Sequence, residues 1–132
     1  MKRIMFLLLV FVLFTGCSDN STAKHENKEE YKQITSEEIY DKINKSNDKE
    51  IYIIDVRTSV EYSNGHIPTA LNIPLSSISS IQNTIPDKTV EIIVYCQSGS
   101  RSRKAAESLL ELGYQEVYDL GGIINWNYEI TQ

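Results

Sequence analysis

One stretch of the sequence combines a cysteine with a turn that could activate it. The β-branched and aromatic run 90–95 is typical of a buried strand, and Cys96 follows it directly. Apolar residues in 105–112 then recur at helical spacing, so Cys96 begins a tight turn between a strand and a helix. Backbone N–H groups of such a turn and the positive end of the helix can hold a thiolate, which a free cysteine seldom forms at neutral pH. The pattern therefore predicts a cysteine nucleophile inside an anion-binding turn.

The residues that follow Cys96 are predicted to bind an anion through their backbone N–H groups: Gln97, Ser98, Gly99 and Ser100. Gly99 is expected to adopt a positive φ. Arg101 adds a fixed positive charge at the end of the turn. Ser102 could cap the helix or bond the sulfur, and the sequence leaves both roles open.

A second charged group follows another predicted buried strand, 51–56. Asp55 and Arg57 stand at its carboxyl end, which should share a sheet edge with Cys96. Charges at strand ends commonly pair locally, so a structural pair between the two is expected. The alternatives are that Arg57 steers an anionic donor, or that it pairs with Glu61 four residues later.

The two histidines fall outside the cysteine turn. His66 is expected to organise a turn of its own, and His25 lies in a polar segment where a solvated side chain is expected. Neither has ligand spacing with Cys96, so no metal site is predicted. No histidine stands near Cys96 in the sequence to act as its base, which argues against a Cys–His protease.

Length and charge narrow the possibilities further. The 132 residues allow one folded domain, and the formal net charge of −5 argues against nucleic acid as a partner. Only two cysteines are present, Cys17 and Cys96. If Cys17 is modified, Cys96 has no partner for an internal disulfide, which favours a reactive thiol.

The first 16 residues have the order of an export signal. Lys2 and Arg3 precede an apolar run, 4–14, which is too short to span a membrane. The segment that ends in Cys17 resembles a bacterial lipobox, although Phe14 stands where an aliphatic residue is usual. The resemblance implies a signal peptide over 1–16, a lipid on Cys17 and a domain anchored on the outer side of the cell membrane. An ordinary secretory leader with an incidental cysteine is the alternative.

Residues 17–32 are polar and are predicted to form a flexible tether, which leaves 33–132 as the folded domain. Strands are predicted at 31–34, 51–56, 70–73, 90–95 and 116–120. A first helix is predicted after a Thr35–Glu38 capping box, and others over 58–64 and 105–112. Leu75, Ile78 and Ile81 predict one face of a further helix. Gly121 and Gly122 are predicted to open a final helical segment that contains Trp126. This alternation predicts an α/β fold with a parallel sheet of about five strands and helices on both faces.

Three segments of the domain together resemble the single-domain rhodanese, or thiosulfate sulfurtransferase, family. They are Ile53–Arg57 with Glu61–Tyr62, Gly65–Ala70 and Asn72–Pro74; Tyr95–Ser102; and Gly113–Tyr114 with Val117–Gly122 and Trp126. Thr69 stands where the family more often has glycine. The order and spacing of the segments cover nearly the whole domain.

The resemblance implies a mechanism in which the Cys96 thiolate attacks the outer sulfur of thiosulfate, sulfite leaves, and a persulfide remains. Cyanide or a thiol then takes the sulfur, without a metal or organic cofactor, and a monomer is expected. Two alternatives stay open: a noncatalytic module that binds a partner or senses sulfur, and a phosphatase or arsenate reductase. The second is disfavoured because those relatives have one more residue between the cysteine and the arginine than the four found here.

Overall fold

The computed structural model describes residues 30–45 and 50–132. Its strands are β1 (Lys32–Gln33), β2 (Ile51–Asp55), β3 (Leu71–Asn72), β4 (Glu91–Cys96) and β5 (Glu116–Gly122). Its α-helices are α1 (Ser36–Asn44), α2 (Ser59–Ser63), α3 (Ile81–Thr84) and α4 (Ser100–Glu111), and 3₁₀ helices cover Leu75–Ser80 and Ile123–Asn125. Cys17 and His25, with the predictions made for them, lie outside these described residues.

The strands form one parallel sheet in the order β1-β5-β4-β2-β3. The centre is β4, which is buried along its whole length and pairs with β5 on one side and β2 on the other. The carboxyl ends of β2, β4 and β5 therefore lie side by side, as ligand-binding edges of such sheets do. The predicted α/β fold with a five-stranded parallel sheet is confirmed.

Side chains of β4 alternate between two cores, one on each face of the sheet. Ile93 and Tyr95 pack in the core that contains Ile39 of α1. Val94 and Cys96 pack in the other core, against α4. Such alternation is the period of a strand, and it leaves neither face exposed. Because Cys96 ends β4 on the α4 face, its sulfur lies beside the start of that helix.

Two predicted helical segments differ in detail from the structure. Gly121 and Gly122 extend β5, and Gly122 pairs with Cys96 beyond an irregularity in the β4–β5 register. Gly122 is also the N-cap residue of the 3₁₀ helix Ile123–Asn125, so the predicted final helical segment is a short 3₁₀ helix with Trp126 as its C-cap residue. Gly121 has a φ of 83°, which a glycine adopts without strain and which lets the strand pass that irregularity. The predicted helical face at 75, 78 and 81 begins as a 3₁₀ helix, which suits a spacing of three residues.

In the described part of the chain, no helix has the length and apolar character that a membrane crossing requires.

Candidate active site

The turn after β4 brings backbone donors onto the sulfur of Cys96. Gly99 takes the predicted positive φ, 109°, and serves as the N-cap residue of α4. This conformation directs the Gly99 N–H at Cys96 Sγ, with 3.0 Å between nitrogen and sulfur. Another side chain would be strained at that φ, so glycine is what allows the turn to close on the sulfur.

Opposing effects set the pKa of the Cys96 thiol. Burial raises it, whereas hydrogen bonds from the backbone N–H groups of Ser102, Gly99 and Ser98 and from the Ser102 hydroxyl lower it. The hydrogen bonds prevail, so the pKa lies below its ordinary value. A lower pKa increases the fraction of Cys96 that is present as the nucleophilic thiolate.

Ser102 is not the N-cap residue of α4, because that residue is Gly99 and Ser102 lies within the first turn of the helix. Its hydroxyl lies 3.0 Å from the Gly99 carbonyl oxygen and 3.3 Å from that of Gly121. Since its N–H and hydroxyl also lower the Cys96 pKa, Ser102 lies on the sulfur side of the turn. The hydroxyl of Ser102 thus bonds two backbone carbonyl oxygens, while Ser102 also helps to lower the pKa of the Cys96 thiol.

The end of β5 forms the back wall of the turn. A Cβ atom on Gly122 would lie 2.5 Å from the carbonyl oxygen of Gln97, which is closer than real Cβ atoms approach. The residue Cys96 is only 1% exposed. The missing side chain at Gly122 is therefore what allows the turn to lie against the strand, with Cys96 buried between them.

Arg101 makes a contact that the sequence did not suggest. Its Nη1 and Nη2 atoms donate to Glu61 Oε2 and Oε1 at 2.7 and 2.8 Å, so the guanidinium is held by both oxygens. Such paired geometry fixes the orientation of an arginine. Glu61 thus pairs with Arg101 and not with Arg57.

Glu61 also belongs to a capping box at the start of α2. The Thr58 backbone N–H donates to Glu61 Oε2 at 2.9 Å, and the Glu61 N–H donates to the Thr58 hydroxyl. Hydrogen bonds from Arg101 in first place, and then from Thr58, lower the pKa of Glu61 to about 2, against the effect of burial. The Thr-x-x-Glu spacing was visible in the sequence, but nothing in it indicated a contact with the cysteine turn.

Asp55 and Arg57 form an ion pair inside the protein. Arg57 Nη2 lies 2.7 Å from Asp55 Oδ2, and the two side chains are only 5% and 0% exposed. Arg57 Nη2 also donates to the Gly65 carbonyl oxygen at 2.6 Å, and Nη1 lies 3.4 Å from Gln97 Oε1. Arg57 therefore links three segments beside the site and has little contact with solvent.

The turn around His66 packs next to this pair. The His66 ring stacks on Tyr62, with 3.7 Å between ring centroids, and its Nδ1 lies 3.0 Å from the Tyr62 carbonyl oxygen. Its backbone forms a bridge with Thr131. These contacts join the turn to α2 and to the segment that contains Thr131.

The predicted residues therefore divide into two groups. The sulfur is surrounded by the turn residues 97–102, of which Ser98, Gly99 and Ser102 lower its pKa. Gln97 contributes its carbonyl to the contact with β5, and Ser100 begins α4. The charged residues Arg57 and Arg101 stand around this turn, each paired with a carboxylate.

Comparisons with known proteins agree with this arrangement. The model of the rhodanese-like domain family matches residues 35–129. A protein of Allochromatium vinosum named sulfurtransferase is 37% identical over 95 residues, which cover 71% of this chain and 86% of that protein. The Escherichia coli K12 protein named thiosulfate sulfurtransferase PspE is 41% identical over 71 residues, 53% of this chain and 68% of its own length.

A solved structure shows the same fold. The crystal structure of a rhodanese-like domain protein from Staphylococcus aureus has a TM-score of 0.65 and 36% identity, and the match covers 74% of this chain and 93% of that one. The family match extends from the helix before β2 to the segment after β5, and so includes the whole cysteine turn. The chain belongs to the rhodanese-like family, whose matched relatives are named sulfurtransferases.

Proposed function

We propose that the protein is a sulfurtransferase that carries a sulfane sulfur as a persulfide on Cys96. The observation that supports this most directly is the 3.0 Å contact between the Gly99 N–H and Cys96 Sγ, in a turn that lowers the pKa of the thiol. The same donors suit a persulfide, because the transferred sulfur also carries negative charge. Relatives named sulfurtransferase and thiosulfate sulfurtransferase support the reaction class.

The reaction has two half-steps. The Cys96 thiolate forms a bond to the outer sulfur of a donor such as thiosulfate, and the donor's S–S bond breaks with its electron pair on the departing sulfite. The Cys96 persulfide then gives its outer sulfur to cyanide or a thiolate, and the electron pair returns to Cys96 as a thiolate. No proton has to be abstracted from an ionised thiol, so no base is needed for the first half-step.

The intact mass of the purified protein tests this function. Incubation with thiosulfate should add the mass of one sulfur atom, and cyanide should remove it. The Cys96→Ser variant should gain nothing, because a hydroxyl is not ionised near neutral pH. Wild-type protein that forms no adduct would instead favour a noncatalytic module that binds a partner. Hydrolysis of an aryl phosphate would favour the phosphatase alternative.

We also propose that the domain is anchored outside the cell membrane through a lipid on Cys17, as the lipobox-like sequence suggests. Acyl chains give stable anchoring when more than one is attached. The Cys17→Ala variant should then leave the membrane fraction after cell fractionation, while the wild type stays in it. Equal release of both would point to an ordinary secretory leader.

A further inference from the structure

An open groove lies between α1 and the segment that follows the last 3₁₀ helix. It is formed by the second half of α1, by Pro68 and by residues 126–129, and is thus separate from the cysteine turn 96–102. Its volume is about 660 Å³. This volume falls within the range of sites that bind small molecules.

Three aromatic rings line this groove and contact one another. The rings of Tyr40 and Tyr128 stack, with 4.0 Å between their centroids and 12° between their planes. Trp126 meets Tyr128 at 5.1 Å, with 63° between the two planes. Rings set at different angles beside one space are the arrangement by which proteins bind quaternary ammonium groups.

Hydrogen bonds hold the segment that carries two of these rings. Trp126 Nε1 donates to the Glu129 carbonyl oxygen at 3.0 Å. Asn127 Nδ2 donates to Ser36 Oγ at 3.2 Å, which ties the segment to the start of α1. The rings are therefore already in position, and a ligand loses little free energy in ordering them.

The charge of the groove favours a cation. Of the eight described residues that line it, only Glu129 is charged, and it is acidic. The faces of aromatic rings also carry partial negative charge. A positively charged organic group therefore complements both the rings and the carboxylate.

A tyrosine elsewhere in the chain already carries a cation on its ring. Lys88 Nζ lies 3.9 Å from the ring centroid of Tyr114. Among the residues that the structure describes, no lysine or arginine lies over the three rings of the groove. Tyr40 and Tyr128 are 43% and 36% exposed, so a cation from outside the chain can reach them.

We propose that this groove binds a small soluble compound that carries a quaternary ammonium group, of the choline type. Such a group has no N–H donors to leave unpaired, and it is less strongly hydrated than the primary ammonium of a lysine. It therefore loses less on entering a groove lined mainly by aromatic and apolar groups. This binding goes beyond sulfur transfer and does not depend on it.

The fluorescence of Trp126 tests the inference, because this residue is the only tryptophan in the chain. Choline chloride replaces sodium chloride at constant ionic strength. The fluorescence should change and saturate, with a dissociation constant of about 1 mM for so small a ligand. The uncharged alcohol in which carbon replaces the nitrogen of choline should bind about fivefold more weakly, because it lacks the attraction of a cation to the ring faces.

A pair of tyrosine variants separates the groove from other rings. Tyr40→Leu removes one ring and keeps an apolar side chain, so it should weaken choline binding about fivefold. Tyr52 of β2 is a matched control, because its hydroxyl also donates to a carboxylate, that of Glu50, but it lies outside the groove. Tyr52→Leu should leave the affinity unchanged.

A pair of glutamate variants separates the local charge from the net charge. Glu129→Gln should weaken choline binding about threefold, the effect of one exposed charge, and should leave the uncharged alcohol unaffected. Glu111→Gln removes the same charge at the end of α4 and should alter neither affinity. Urea unfolding, followed by the same tryptophan, shows that each variant is folded.

The remaining outcomes would overturn the inference. Equal affinity for choline and the uncharged alcohol would show that the groove does not select a cation, and a signal that never saturates would show no site. A response to phosphatidylcholine vesicles but not to soluble choline would make a membrane the occupant. A response to dilution of the protein alone would make a second copy of the chain the occupant.

Discussion

Two arginine–carboxylate pairs stand at the same edge of the sheet, and they differ mainly in burial. The side chains of Arg57 and Asp55 are 5% and 0% exposed, whereas those of Arg101 and Glu61 are 33% and 32% exposed. The first pair joins residues two apart in sequence, and the second joins residues 40 apart. The same chemical pairing thus occurs in two very different surroundings.

The difference indicates a division of labour. A buried pair is costly to break, because the remaining charge has no water to solvate it. A half-exposed pair contributes little to stability, because water and salt screen it. We therefore expect the Arg57–Asp55 pair to stabilise the fold next to the turn. We expect the Arg101–Glu61 pair to affect the reactivity of Cys96.

The largest expected effect is on stability, from Asp55→Asn. The amide keeps the shape but leaves the Arg57 charge buried without its carboxylate, so the free energy of unfolding should fall by about 3–5 kcal/mol. Urea unfolding measures this. The double variant Asp55→Asn/Arg57→Met should recover part of the loss, since it removes the uncompensated charge. A loss below about 1 kcal/mol would place this pair in the same class as a surface pair.

The next effect is on reactivity, from Arg101→Met. Removing a half-exposed pair should change the free energy of unfolding by less than about 1 kcal/mol. The loss of the positive charge should raise the pKa of the Cys96 thiol, and a shift of about one unit corresponds to about 1.4 kcal/mol. The rate of alkylation of Cys96 as a function of pH measures it. An unchanged thiol pKa together with a large loss of stability would show that the Arg101–Glu61 pair supports the fold and not the reactivity of Cys96.

The smallest effect is a pH dependence of stability that belongs to Glu61. Its pKa falls from the ordinary 4.5 to about 2 in the folded protein, so its stabilising contribution is complete above the ordinary value and disappears as the pH falls toward 2. The wild type should exceed Glu61→Gln in stability by about 1 kcal/mol at most near neutral pH, given solvent screening. Urea unfolding at several pH values should show this difference shrinking in acid. A constant difference would argue against the carboxylate as its source.

The sequence predicted the cysteine turn well because its signals are local. The strand before Cys96, the helix after it and the glycine within it are adjacent, and their spacing determines where backbone donors point. The Asp55–Arg57 pair was predictable for the same reason, because the two residues are close together in the sequence. Local pattern was therefore enough to predict the turn and the backbone donors that lie around Cys96.

The contact between Glu61 and Arg101 could not be predicted from local sequence patterns. Only the packing of α2 beside the turn brings these residues together, whereas Arg57 is the nearer candidate partner for Glu61 in the sequence. The role of Gly122 was also partly missed. The position of Gly122 in β5 depends on the pairing register between β5 and β4. That register is determined by packing between neighbouring strands and not by local propensity.

The two edge strands of the sheet affect the tendency of the protein to aggregate at high concentration. Among the described residues, β1 and β3 contain only two residues each, Lys32–Gln33 and Leu71–Asn72. Very short edge strands offer a passing chain too few free backbone groups to pair with, and a lysine on the edge discourages it further. The centre of the sheet is almost wholly apolar, but both edge strands are too short to pair readily with another chain. This disfavours aggregation through the sheet edges.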